Sequence, residues 1–78
     1  RRRLDAKTLR QILDALRTHS SVEVNYQSFS RPEAMWRRLT PHALAFDGFR
    51  WHIRAWCHTR MAFRDFVIGR MLGIRGAK

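Results

Sequence analysis

The segment that decides the fold is residues 44–58, LAFDGFRWHIRAWCH. Its Asp47-Gly48 pair separates two apolar runs, Leu44–Phe46 and Phe49–Trp51, and such a dipeptide is a strong signal for a tight β-hairpin. Glycine favours the turn because it adopts positive backbone angles without steric cost. The segment therefore predicts a hairpin whose second strand runs from about Phe49 to His58.

Alternating apolar and polar residues predict further strands on both sides of this hairpin. Before it, one strand covers Val22–Gln27, and another covers Met35–Thr40 and is stopped by Pro41. After it, a turn leads to a last strand over Phe63–Met71. Together with the two hairpin arms, this makes about five short strands within residues 21–71.

The N-terminal part of the chain has helical spacing instead. One apolar stripe is formed by Leu9, Ile12, Leu13 and Leu16. The stripe predicts a helix over about residues 5–18, with Asp5 as its N-cap. One helix followed by five short strands indicates a small, strongly bent sheet or barrel with the helix packed on it.

Composition bounds the chain to one small, strongly basic domain. Its 78 residues include 16 Lys and Arg against 6 Asp and Glu, for a formal net charge of +10. Nearly all the cations are arginine, whose planar donor fork suits phosphate and carboxylate. The excess predicts polyanionic partners, with a solvated basic surface as the alternative. The single cysteine fits a cytoplasmic location, and no apolar run approaches the roughly 20 residues of a membrane span.

Residue spacing does not favour metal binding or catalysis. Cys57 and His58 are adjacent, so a strand points them to opposite faces, and His52 lies roughly 20 Å from His58 along it. Zinc sites need clustered ligands, and no Gly-x-Ser-x-Gly nucleophile motif occurs. We therefore expect no metal, no cofactor and no catalytic residue, with Cys57 a buried small hydrophobe.

Several arginines fall on the apolar side of the predicted strands. Arg37 shares the parity of Leu39. Arg64 shares that of Phe66, and Arg70 continues this series. A charge on an apolar face is costly unless it is paired or lies at a sheet edge. One interpretation is a structural salt bridge with Asp65, Glu23 or Glu33. The other is that arginines converge at the mouth of a barrel to bind an anion, which the scarcity of acidic residues favours.

Aromatic residues lie among these cations and divide into two groups. A domain of this size needs large residues in its core, and we expect Trp51, Phe66 and Phe46 there. Trp56 and Phe29 are candidates for stacking on nucleobases, the usual means of binding single strands.

Five segments, taken in order, carry a resemblance to a known family. They are Val22–Ser28, ending in Tyr-x-Ser; Arg37–His42, as Arg-x-hydrophobic-x-Pro-His; Trp51–Ile53; Ala55–Cys57; and Arg64–Met71, as Arg-x-Phe-x-hydrophobic-x-Arg-hydrophobic. Over about residues 15–72 the chain resembles the WYL domain. His52 stands where the Trp-Tyr-Leu signature has Tyr, so that hydroxyl is replaced by a titratable ring.

The resemblance implies a mainly β domain with one N-terminal helix, folded as a small five-stranded Sm-like or SH3-type β-barrel. It also implies a place between a helix-turn-helix domain and a C-terminal domain in cytoplasmic, homodimeric bacterial regulators of the DNA damage response or phage defence. Carried over by position, the ligand-binding residues are Tyr26, Ser28, Arg37, His42, His52, Arg64 and Arg70. Two of these, Arg37 and Arg64, would grip phosphate oxygens bidentately.

The predicted organisation is a basic linker end at residues 1–4, a WYL-type domain at 5–72 and a tail at 73–78 that leads to a missing C-terminal region. The predicted function is ligand sensing: a single-stranded DNA or RNA oligonucleotide binds an arginine-lined pocket and thereby modulates DNA binding. The alternatives are an Sm-like oligonucleotide-binding module without a signalling role, and a structural dimerisation domain.

Overall fold

The computed structural model describes residues 4–76 and has one helix and five strands. The elements are α1 (Ala6–Thr18), β1 (Val22–Tyr26), β2 (Met35–Phe46), β3 (Trp51–Cys57), β4 (Ala62–Val67), a one-turn 3-10 helix η1 (Ile68–Arg70) and β5 (Met71–Gly76). The strands form one antiparallel sheet in the order β4-β3-β2-β1-β5. The mainly β class with one N-terminal helix is confirmed. Within residues 4–76, β4 and β5 do not pair with each other, so closure into a barrel is not confirmed.

The long strand β2 corrects one prediction. Pro41 does not end a strand: Met35–Phe46 is continuous, and its first half pairs with β1 while its second half pairs with β3. The register shifts between Pro41 and Ala43. A bulge of this kind accommodates a residue without an N–H and bends the strand, so one strand serves two partners.

The C-terminal strand is also organised differently from the prediction. The segment expected as one strand over Phe63–Met71 is interrupted by η1, and the expected tail from Gly73 onward belongs to β5 as far as Gly76. In β5, Ile74 pairs with Val24 and packs against the core. That burial explains why these residues form a strand. The linker prediction for residues 1–3 and the last two residues of the predicted tail lie outside the described part of the chain.

Helix α1 begins as predicted at the Asp5 cap. The Asp5 carboxylate accepts hydrogen bonds from the Thr8 amide at 3.0 Å and the Thr8 hydroxyl at 2.9 Å. Inside the helix, Ile12 is buried as expected, but Leu13 is 41% exposed. The buried face is rotated toward Thr8 and Ala15. No helix within residues 4–76 is long and apolar enough to span a membrane.

The core lies between α1 and one face of the sheet. Phe66 and Cys57 are buried as predicted, at 1% and 0% exposure. Trp51 and Phe46 are not core residues: they are 40% and 52% exposed and pack on each other with ring centroids 5.0 Å apart. They pair at the outer end of the β2–β3 hairpin, beyond the reach of the core. The hairpin itself is confirmed, and Gly48 has the positive φ of 91° that its turn requires.

Candidate functional site

A cleft of the described chain lies between the β2–β3 turn and η1. Its volume is about 850 Å³. It is lined by Leu4, Phe49, Arg50, Trp51, Val67, Gly69 and Arg70. None of these residues is acidic, two are arginines and two are exposed aromatics. We call this site the arginine cleft.

An exposed phenylalanine lies between the two arginines of the cleft. The Arg70 guanidinium is 3.9 Å from the centroid of the Phe29 ring, and that of Arg50 is 5.4 Å from it. Phe29 is 67% exposed. Arg70 is held in place because it donates to the backbone carbonyls of Gln27 and Ser28. The arrangement combines an exposed aromatic ring with two positive charges that no carboxylate neutralises within residues 4–76.

The hairpin turn positions one wall of the arginine cleft through Asp47. Its carboxylate accepts hydrogen bonds from the amides of Phe49 at 2.8 Å and Arg50 at 2.7 Å, and lies 2.7 Å from Nε2 of His52. The Arg50 amide first, and the His52 side chain second, lower the pKa of Asp47 from 3.8 to about 2. His52, a predicted ligand residue, is therefore engaged with Asp47.

The lowered pKa of Asp47 makes hairpin stability depend on pH. Ionised Asp47 stabilises the fold above its ordinary pKa of 3.8, and this contribution is lost as the pH falls toward about 2. We expect Asp47→Asn to lower the urea midpoint near neutral pH and to approach the wild type in acid. Urea titrations across this range, with Asp14→Asn as the control for net charge, check this. A midpoint difference that does not change with pH would contradict it.

A second unusual feature is the burial of the Arg37 side chain. It is only 6% exposed, and its Nε is buried without a hydrogen-bond partner among the described residues. Its guanidinium carbon lies 5.6 Å from the ring centroid of Tyr26 and 6.0 Å from that of Phe66. The Tyr26 hydroxyl accepts from the Val67 amide at 3.0 Å. Val67 also lines the arginine cleft, so Tyr26 lies behind its wall.

The salt-bridge interpretation of these arginines is wrong for the described residues. Asp65 pairs with Arg54 at 3.2 Å, and Glu23 pairs with Arg75 at 2.7 Å. Glu33 forms no ion pair within residues 4–76. The predicted residues Arg37 and Arg64 are left without a carboxylate partner there.

The structure brings only some of the predicted ligand residues together. Tyr26 contacts Arg37, and the Ser28 carbonyl accepts from Arg70. His42 lies elsewhere: it is exposed, and its ring contacts Phe63 edge-on at 4.9 Å. His42 is five residues after Arg37, so strand alternation places it on the opposite, exposed face of β2.

Arg64, Phe49 and Arg50 also lie where the sequence did not predict them. Arg64 is exposed on the edge strand β4. Sequence parity did not identify Phe49 and Arg50 as site residues, because both belong to the turn rather than to a strand. Their position directly after Asp47-Gly48, on the tip of a hairpin, is the signal that could have found them.

The fold is a small antiparallel sheet domain with one helix, in which Arg37, Arg50 and Arg70 form no ion pair within residues 4–76. A family model for the WYL domain matches residues 7–75, and the chain belongs to the WYL domain family. It is 50% identical over 76 residues to the DNA-binding transcriptional repressor CapW of Escherichia coli, covering 97% of this chain and 25% of that protein. It is 53% identical over 70 residues to CapW of Pseudomonas aeruginosa, covering 90% of this chain and 23% of that one.

Solved structures show the same fold. The proteasome accessory factor B/C (PafBC) of Arthrobacter aurescens superposes with a TM-score of 0.77 at 22% identity, over 97% of this chain and 12% of that one. The chain spans about a quarter of the length of the curated relatives it matches.

Proposed function

We propose that this chain is the ligand-sensing domain of a DNA-binding transcription regulator, and that its arginine cleft binds a single-stranded oligonucleotide. The observation that carries the proposal is the exposed Phe29 ring flanked by Arg50 and Arg70, two arginines of a cleft whose lining residues include no acid. Aromatic faces stack on unpaired bases, and arginine forks bind phosphate. The similarity to CapW, a DNA-binding transcriptional repressor, supports a role in transcriptional repression.

In this proposal the ligand controls DNA binding elsewhere in a longer protein. The ligand must bind one conformation of the regulator better than the other, because equal affinity shifts no equilibrium. The full-length regulator is then a cytoplasmic homodimer with a helix-turn-helix domain, responding to DNA damage or phage infection. Closure of the bent sheet into an Sm-like barrel belongs to the same proposal. The domain acts by binding and carries no catalytic step.

Replacing Phe29 and Arg50 together by alanine is expected to weaken binding of a short single strand about tenfold or more. Loss of one stacked base costs roughly 1–3 kcal/mol, and each 1.4 kcal/mol is tenfold. Loss of one phosphate contact also makes the slope of log affinity against log salt concentration less steep by about 0.7. Fluorescence anisotropy of labelled single-stranded DNA and RNA across a salt series measures both quantities.

The matched control for charge is Arg10→Ala, since Arg10 is exposed on α1 and does not line the arginine cleft. Equal, weak binding by the wild type, the double variant and the control would show that the charge acts diffusely. That result would favour the structural dimerisation domain instead.

A further inference from the structure

The interior of the domain holds two hydrogen-bond donors without acceptors. The Nε of Arg37 has no partner, and the guanidinium makes no ion pair within residues 4–76. Tyr26 accepts a hydrogen bond from Val67, but its own hydroxyl proton has no acceptor among the described residues. The two side chains are in contact, with Arg37 over the Tyr26 ring. The two donors without acceptors therefore belong to neighbouring side chains.

A lone buried guanidinium is unfavourable unless an anion reaches it. Arginine stays protonated at all accessible pH values, so it cannot neutralise itself as a buried lysine can. Cation–π attraction to the rings of Tyr26 and Phe66 compensates for part of the hydration free energy that the Arg37 guanidinium loses on burial. The rings supply no acceptor for the buried Nε. An anion with several oxygens would supply one and is the partner that a guanidinium fork binds most strongly.

The burial of Arg37 restricts how such an anion can be attached. An internal phosphodiester continues into a nucleotide on both sides, and both neighbours would have to enter the core around a side chain that is 6% exposed. A terminal phosphate has one attachment and three free oxygens. As a monoester it also carries about −1.5 to −2 charges near neutral pH, which strengthens its bonds to a guanidinium.

We propose that Arg37 and Tyr26 form a receptor for a terminal phosphate group, the phosphomonoester at the end of a nucleic acid strand. The inference rests on the proposed function for the strand itself, whose bases occupy the arginine cleft. The proposed ligands are therefore cleaved strands with a phosphorylated end, a narrower class than single strands in general.

The test uses one labelled oligonucleotide sequence in three forms: with a 5′-phosphate, with a 3′-phosphate, and with hydroxyls at both ends. One phosphorylated form is expected to bind the chain about 10- to 100-fold tighter than the hydroxyl form, the range for a charge-assisted contact. Arg37→Met should abolish this preference, and Arg10→Ala should keep it. Comparing the 5′-phosphate form with the 3′-phosphate form also identifies which end of the strand is recognised.

Equal affinity for all three forms, or a preference that survives in Arg37→Met, would overturn the receptor. Circular dichroism checks the fold of the variant. Should Arg37→Met not fold, Tyr26→Phe decides: it keeps the ring under Arg37 and removes the hydroxyl proton, and it should reduce the preference.

Inorganic phosphate separates this inference from the proposed function. It is expected to raise the melting temperature of the wild type above that in chloride of equal ionic strength, and not that of Arg37→Met. If phosphate does so but no strand binds, the proposed function fails and the phosphate receptor is supported. If hydroxyl-ended strands bind through the arginine cleft and phosphate has no effect, the proposed function is retained and the receptor is overturned.

Discussion

Arg37→Met is expected to raise the free energy of unfolding of the ligand-free chain by about 1–3 kcal/mol, within the range seen when buried charges are replaced by apolar side chains. Methionine is unbranched and adaptable, and it places an apolar side chain near the rings of Tyr26 and Phe66. It also removes the buried Nε that has no partner. The loss of cation–π attraction to two rings opposes the gain and keeps it modest.

Urea unfolding in a buffer without phosphate measures this effect. Arg64→Met is the matched control, because it makes the same change at an exposed arginine of the sheet, where shifts within about 0.5 kcal/mol are usual. A lower unfolding free energy for Arg37→Met would show that Arg37 stabilises the fold by itself. A gain would mean that the domain retains a costly side chain for a ligand.

Phe66→Ala is expected to have the largest effect on stability, a loss of about 3–5 kcal/mol. Phe66 is 1% exposed and meets the Tyr26 ring edge-on at 5.0 Å. Its removal opens a cavity that the surrounding sheet cannot close. At about 0.05–0.15 kcal/mol per residue, a domain of 78 residues is stable by only about 4–12 kcal/mol, so the loss is a large fraction of the total stability.

Phe63→Ala is the control on the same strand. Phe63 is 47% exposed and faces the other side of β4, where it contacts His42 and Trp56. We expect it to cost about 1 kcal/mol. Thermal and urea unfolding compare the two variants. Similar losses from both would contradict the assignment of Phe66 to the centre of the core.

Local chemistry was readable from the sequence wherever a nearby pattern specified it. The Asp47-Gly48 turn, the Asp5 cap, the mainly β class and the burial of Phe66 and Cys57 all follow from short-range periodicity or turn residues. These features need no knowledge of distant neighbours. The family assignment likewise follows from the order of short motifs.

Long-range arrangement was decided by the tertiary structure alone. Strand β2 continues through Pro41 and changes its partner from β1 to β3, and η1 starts a new strand where alternation predicted the old one to continue. The ion pairs between carboxylates and arginines depend on strand pairing across the sheet. Asp65 and Glu23, which were expected near Arg37, pair with Arg54 and Arg75 instead. Strand parity assigns a residue to a face, but charge pairing and exposure depend on which strands become neighbours, and only the folded sheet determines that.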